Sequence, residues 1–431
     1  MRIIRLKKNN LAQKLKGLRG ESKLFDPGVE SAVKKIVEAV RKDGDRALFK
    51  FTKKFDKVEL STKTVKVSTR EVEEAKAKVS PEIKSSLTVA ASRIHFYQQM
   101  KLPQEKTFTD SLGNELGWLL RPLERVGVYI PGGKAAYPST VLMTAIPAKV
   151  AGVEEVVLVS PCPRGEVNPV VLVAASMAGV DVIYKVGGAQ AISALAYGTE
   201  SIPKVDKIVG PGNIYVTIAK KLVFGEVDID MIAGPSEVLI VSDGSTPPGW
   251  IAADLLAQAE HDEMAVPILV TDSSEFADEV KKEISKRLKT LERREIAKEA
   301  VRNQGKIFVV DSMEDAVSAV NAIAPEHLEL CVENPKSILP GIKHAGAIFL
   351  GGMSTEAFGD YVAGPSHVLP TGGAARFSSP LSVYDFLRMP SVISVSESGF
   401  KELEQSVTRL AYSEGLEAHA LSVKARFENR S

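Results

Sequence analysis

The chain has 431 residues, 44% of them hydrophobic, with 55 Lys and Arg against 54 Asp and Glu. A single hydrophobic core stops growing beyond roughly 250 residues, so at least two domains are expected. The near balance of charge, with no Lys/Arg block able to neutralise a run of phosphates, argues against a nucleic-acid partner. The basic start leads into polar sequence rather than an apolar signal core. The most apolar stretch, Pro169 to Tyr184, carries Asp181 and falls short of the roughly 20 residues of a bilayer span. No membrane partner is therefore expected, and the predicted location is cytoplasmic. Cys162 and Cys331 lack a CxxC partner or a metal-ligand spacing and read as buried free thiols.

In chain order, the first hundred residues are predicted to be helical. Asp26-Pro27 reads as a cap and first turn, followed by Val29, Val33, Ile36, Val37 and Val40 at helical spacing up to Gly44. Ser80-Pro81 opens a second helix with the stripe Ile83, Leu87, Ala91 and Ile94. From Arg125 the rhythm changes to short Val/Ile runs, each followed by a glycine-bearing turn and a helical stretch, which is the pattern of parallel sheet. Strands are predicted at 126–130, 156–159, 180–184 and 207–209, with helices near 139–152, 168–178, 190–197 and 214–222. A second series places strands at 238–241, 266–271, 307–310 and 347–350, a helix over 250–261 and a closing helix around 401–411. Residues 127–133 and 346–352 both run a strand into a Gly-Gly turn, an echo too short to establish a repeat.

The chain has six histidines, so their neighbours are informative. His261 follows Gln258 by three residues, which puts both polar groups on one helical face. Such a pair suits a divalent metal held by imidazole nitrogen and amide oxygen, or a helix end with a satisfied surface histidine. Glu326-His327 stands where Pro325 breaks a helix and an apolar strand follows; an imidazole there suits a general base with a carboxylate beside it, or a solvated pair in a capped turn. In the glycine-punctuated segment 358–367, Asp360 could complete a metal sphere and His367 could hydrogen-bond a substrate. Ser236, in Ala233-Gly-Pro-Ser, reads first as a turn-former. His95 and His344 have no such company and read as structural.

The turns Gly187-Gly-Ala-Gln190 and Gly210-Pro-Gly-Asn213 each precede a helix, where free N–H groups could receive phosphate or a polar ligand edge. Nowhere does GxGxxG follow a strand with an acidic residue about twenty positions on, so the residues alone leave the choice of cofactor open.

Glu124 to Lys134, Val186 to Ile192, Gly210 to Asn213, Ala233 to Glu237, Gln258 to His261, Pro325 to His327, Gly359-Asp360 and Glu414 to His419 together resemble the histidinol dehydrogenase family, in order over residues 124–419. The resemblance implies zinc-dependent, NAD-dependent oxidation of L-histidinol to L-histidine through L-histidinaldehyde. It implies zinc ligands Gln258, His261, Asp360 and His419, a general base at His327 and its water-activating partner at Glu326. It further implies substrate contacts from Ser236, His367 and Glu414 beside the zinc ligands and His327, and NAD contacts from Tyr129, Gln190 and Asn213. A homodimer with shared active sites is implied too, with Glu414 and His419 reaching the partner's site.

The resulting expectation is an α/β fold of two incomplete Rossmann-like units with parallel sheets, a helical N-terminal region and a helical C-terminal tail. The expected boundaries are a helical arm over 1–25, a first Rossmann-like domain over 26–129 and 237–380, a second over 130–236, and the tail over 381–431. Two rival readings of the same side chains are a zinc hydrolase, with Glu326 as base, and a non-catalytic ligand-binding protein.

Overall fold

The computed structural model describes residues 1–7, 9, 11, 15, 27–132, 137–163 and 165–428. The strands in chain order are β1 (Arg2–Arg5), β2 (Lys106–Thr109), β3 (Glu115–Trp118), β4 (Arg121–Pro122), β5 (Arg125–Tyr129), β6 (Glu155–Val159), β7 (Val182–Tyr184) and β8 (Lys207–Val209). They continue as β9 (Asp228–Ile229), β10 (Glu237–Ser242), β11 (Val266–Thr271), β12 (Lys306–Val309), β13 (His327–Cys331), β14 (Ala347–Leu350), β15 (Leu387–Arg388) and β16 (Ser391–Ser394). The chain divides into two units, Met1–Lys101 with Leu123–Phe386, and Leu102–Pro122 with Leu387–Ser431.

The first unit contains two parallel sheets, ordered β7-β6-β5-β8-β9 and β1-β12-β11-β10-β13-β14. Each is built from runs such as Val156-Val-Leu-Val159 and Val238-Leu-Ile-Val241, buried on both faces and therefore apolar without alternation. Apart from β1, both sheets follow one plan, with the first strand central, the second and third on one side and the fourth and fifth on the other. This is the strand order 3-2-1-4-5, one strand short of the full Rossmann order 3-2-1-4-5-6, used twice. The counterpart of β5 is thus β10. The echo between 127–133 and 346–352 links a central strand to an edge strand and does not mark the duplication.

Three expectations need correction. The arm over 1–25 is not helical at its start: Ile3 and Ile4 of β1 pair in parallel with Ile307 and Phe308 of β12. An open sheet edge offers unpaired N–H and C=O groups, and two adjacent β-branched residues fit it better than a helix. Most of that arm, the predicted cap Asp26, and Gly133 and Lys134 of the glycine turn lie outside the described residues.

The second correction concerns residues 26–129, which do not join 237–380. Val33, Ile36, Val37 and Val40 of the helix Pro27–Asp43 and Leu48 of Asp45–Asp56 share one core with Ile192, Leu195 and Ile218 over the β5–β9 sheet. Ser193 Oγ donates to Val37 O at 3.0 Å, tying the same helices together. Third, residues 102–122 belong with the tail, which starts at Leu387 rather than 381. In that unit β2 and β16 flank β3 in an antiparallel sheet, β4 pairs with β15, and the helices Glu397–Ser413 and Glu417–Glu428 follow. Strands of two to four residues with exposed positions carry too little pattern to be predicted.

Leu48→Ala is expected to destabilise by roughly 2–5 kcal/mol, as for other buried leucine truncations. By hydrogen exchange, protection should fall in β5–β9 while β10–β12 keep theirs; the reverse pattern would place the helix with the other sheet.

Candidate active site

The site is organised where β13 enters its sheet beside β10. The helix Met313–Ile323 ends at Ala324, which adopts a left-handed conformation (φ 53°), and Pro325 then forbids further helix. The chain is thereby turned into β13 with Glu326 just before the strand and His327 as its first residue, paired with Val238 of β10 and Ala347 of β14. Both side chains are buried rather than solvated. The backbone N–H of Glu237 donates to Glu326 Oε2 at 2.8 Å, and His327 Nδ1 lies 3.1 Å from Glu237 O. A carbonyl can only accept, so Nδ1 carries the proton and Nε2 carries the lone pair. Nε2 is buried, has no hydrogen-bond partner among the described residues, and lies 3.9 Å from Asp360 Oδ1. Burial pushes the His327 pKa down to about 4, against the pull of Asp360, so the ring is neutral at pH 7. Burial raises the Glu326 carboxyl well above its usual range, and the acidic neighbours Glu237 and Asp360 add to that.

The short helix Glu356–Tyr361 supplies the facing side chains. It approaches β14 closely because Gly359 has no side chain; a Cβ there would stand 2.6 Å from the Phe349 ring. His367 Nδ1 donates to Asp360 O at 2.9 Å, which leaves its Nε2 to accept from Thr140 Oγ1 at 3.1 Å. Burial lowers its pKa as well. Thr140 belongs to the helix Pro138–Ala151 of the β5–β9 half, so His367 bridges the two Rossmann-like halves.

Gln258 is fully buried near the end of the helix Pro248–Ala259. Its carboxamide is oriented by Glu356: the amide nitrogen donates to both carboxylate oxygens, at 2.9 and 3.1 Å, whereas the opposite orientation would set oxygen against carboxylate. The amide oxygen then faces the His261 ring, 3.4 Å from Nδ1. The same Nδ1 lies 3.3 Å from the Gln258 carbonyl, which leaves Nε2 as the ring's lone-pair donor. Among the described residues, His327, Glu356 and Asp360 each present one ligand atom within 4.8 Å of the others.

The coenzyme candidates stand at the carboxyl edge of the β5–β9 sheet. Tyr129 ends β5; its buried hydroxyl accepts from Gly188 N at 3.1 Å, and burial pushes its pKa to about 12. Gln190 is buried in the first turn of the helix Gly188–Tyr197, with Oε1 unpartnered among the described residues. Asn213 Oδ1 caps the helix Ile214–Val223, accepting from Tyr215 N and Val216 N at 3.1 and 3.2 Å, which leaves its amide NH2 as the group available to a ligand.

The sequence model of the histidinol dehydrogenase family matches residues 20–427. A histidinol dehydrogenase from Aquifex aeolicus is 53% identical over 428 residues, covering 99% of each chain. One from Syntrophotalea carbinolica is 52% identical over 429 residues, covering 100% of both. The crystal structure of histidinol dehydrogenase from Elizabethkingia anophelis superposes with a TM-score of 0.94 at 37% identity, covering 99% of this chain and 98% of that one. The chain belongs to the histidinol dehydrogenase family. It is therefore an oxidoreductase, and the hydrolase and pure-binding readings fall away.

Against the residue set implied by the histidinol dehydrogenase resemblance, the fold brings Glu326, His327, Asp360 and His367 into one buried cluster, with Gln258 and His261 joined to it through Glu356. Ser236 directly precedes β10 and is half-buried. Glu414 and His419 belong to the second unit, at the end of the helix Glu397–Ser413 and within Glu417–Glu428, both exposed in the single chain. The chemistry of the donor set fits a borderline cation such as zinc: an amide oxygen turned toward His261 by Glu356, an imidazole with a free nitrogen and a carboxylate. Sequence reasoning missed Glu356, Thr140 and the backbone of Glu237. Glu356 had one available signal, an acidic residue one helical turn before Asp360.

Behind Glu356 sits a further pair, in which half-buried Asp254 and buried Glu329 share a hydrogen bond and Glu329 Oε1 accepts from Glu356 N at 2.8 Å. Burial raises both, to about 6 for Asp254 and about 8 for Glu329, so the pair retains a proton near neutrality. Raised carboxyls stabilise the fold below their unfolded values, and that contribution is lost as pH rises through the folded ones. The thermal midpoint of metal-free protein should therefore fall between about pH 6.5 and 8.5, a range set by the histidine reference value and the raised Glu329. Glu329→Gln should flatten the fall; a wild-type midpoint constant over that range would contradict the shared proton.

Proposed function

We propose that the chain oxidises L-histidinol to L-histidine through L-histidinaldehyde, with NAD as electron acceptor and one zinc ion, as a step of histidine biosynthesis in the cytoplasm. The observation that carries the reading is the buried His327 imidazole: Nδ1 is locked onto Glu237 O and a bare Nε2 faces the Asp360 side of the cluster. A neutral imidazole with one unpaired lone pair and a fixed ring is what a general base requires.

In the first stage His327 Nε2 takes the hydroxyl proton of the alcohol as hydride leaves the carbinol carbon. In the second, the aldehyde must gain water before another hydride can depart. Glu326, buried beside His327 and braced by Glu237 N, would orient that water while His327, having released the first proton to solvent, removes its proton. His367, its ring set by Asp360 O and Thr140, and Ser236 would contact the substrate. Gln258, His261 and Asp360 would hold the metal together with His419. Bound zinc would fix the imidazole and amine of the substrate, so that the carbinol carbon stays oriented between the two stages. Tyr129, Gln190 and Asn213 would hold NAD, which supplies the hydride acceptor for each stage.

The exposed positions of Glu414 and His419 support a homodimer in which these residues complete the site of the partner subunit.

His327→Ala should lower kcat by about 10²–10⁴ with little change in KM for histidinol, because a base acts mainly in the transition state. A KM effect alone would assign the residue to binding instead. Mixing inactive His327→Ala subunits with inactive His419→Ala subunits should restore activity in heterodimers. Heterodimers confirmed by mass and still inactive would mean that each chain keeps its own site.

A further inference from the structure

Within the β5–β9 half, Lys220 and Asp230 form an ion pair whose side chains are only 4% and 1% exposed. Both groups also grip one residue, Gly210, which opens the turn leading to Asn213. Lys220 Nζ donates to Gly210 O at 3.0 Å, and Asp230 Oδ2 accepts from Gly210 N at 2.7 Å. Asp230 is itself held, since its Oδ1 accepts from Met231 N at 2.6 Å and its backbone N–H donates to Ile208 O at 3.2 Å.

We propose that the Lys220–Asp230 pair is a positioning device for the coenzyme turn 210–213, setting affinity for the nicotinamide coenzyme by fixing the Gly210 backbone. The inference rests on the coenzyme reading of Asn213 given above. A buried ion pair is a costly way to fill a core, because desolvation offsets most of the Coulombic gain and apolar residues of equal volume often serve stability as well. What apolar residues cannot supply is a pair of directed hydrogen bonds to both backbone polar groups of one residue. Gly210 needs them. Its φ of +113° is open only to glycine, and a Cβ would lie 2.2 Å from Tyr129 O, so no bulkier residue could stiffen the turn. Glycine left to itself is the most mobile residue in the chain, and a mobile turn must be ordered each time a ligand binds. The clamp completes that ordering beforehand. It also couples the start of the turn to Tyr129, another coenzyme candidate, whose carbonyl Gly210 approaches.

The test uses the full-length, zinc-loaded enzyme and the double variant Lys220→Met/Asp230→Leu, which leaves no charge buried and is expected to fold, with a thermal midpoint lowered only by the lost hydrogen bonds to the Gly210 and Met231 backbone. Fixing one residue's backbone is worth on the order of tenfold in an equilibrium constant. The double variant should therefore raise KM for NAD, and Kd for NADH by fluorescence titration, about tenfold, while KM for histidinol stays unchanged. Coenzyme affinity equal to wild type in the folded double variant would overturn the clamp. Equal losses for NAD and histidinol, with a lowered midpoint, would also overturn it and make the pair merely structural. Wild-type enzyme that binds no NADH would instead sink the coenzyme reading beneath it. Lys220→Met alone leaves Asp230 buried without its partner and should lose both stability and coenzyme affinity. Adding Asp230→Leu should recover part of the midpoint but none of the affinity, separating the two effects.

Discussion

The arrangement depends on the lateral pairing of β13 with β10. Because His327 sits opposite Val238, the Glu237 backbone lies at hydrogen-bond distance from both members of the catalytic candidate pair, its N–H donating to Glu326 and its carbonyl accepting from His327 Nδ1. The backbone of one residue thereby fixes the ring orientation, the tautomer and the carboxylate. A shift of one residue in register would turn the side chains to opposite faces and dissolve the site. The sheet core that resists such a shift, with Leu239, Val241, Leu328 and Leu330 in one cluster, thus has a catalytic consequence as well as a stabilising one.

Around this pair the chemistry is set by burial. The same desolvation that holds His327 neutral raises Glu326, Glu356 and Glu329, and it concentrates several acidic groups where water is scarce. Such a cluster is electrostatically expensive, and sites of this kind are where a fold accepts cost for function. The positioning of Gln258 by Glu356 follows the same logic: the carboxylate takes the amide nitrogen, and the amide oxygen is left facing His261.

The two Rossmann-like halves divide the work unequally. In the β5–β9 half, the candidate coenzyme residues follow the carboxyl ends of strands, the usual position for ligands in such folds. In the β10–β14 half, the candidate base and carboxylate stand at strand entries instead. The short helix Glu356–Tyr361 brings Asp360 to them, and Thr140 from the other half completes the wall by holding His367. Duplication of a topology therefore has not meant duplication of a site.

The sequence by itself determined most of the strands of both parallel sheets, because Val/Ile runs buried on two faces need no partner to be recognised. It also displayed the motifs that mark the family, and it singled out Glu326, His327, Gln258, His261 and Asp360 by residue type and spacing. It could not assign the helices of 27–56 to their sheet, since an amphipathic stripe states that a face is buried but not against what. Nor could it find β1, whose pairing partner is remote in the chain, or the short strands of 102–122, whose two to four residues carry too little pattern. Only the tertiary structure decided which His327 nitrogen is free, that Glu356 orients Gln258, and that Lys220 and Asp230 close on Gly210. Those facts depend on groups up to about a hundred residues apart meeting at hydrogen-bond distance, and no local pattern encodes such a meeting.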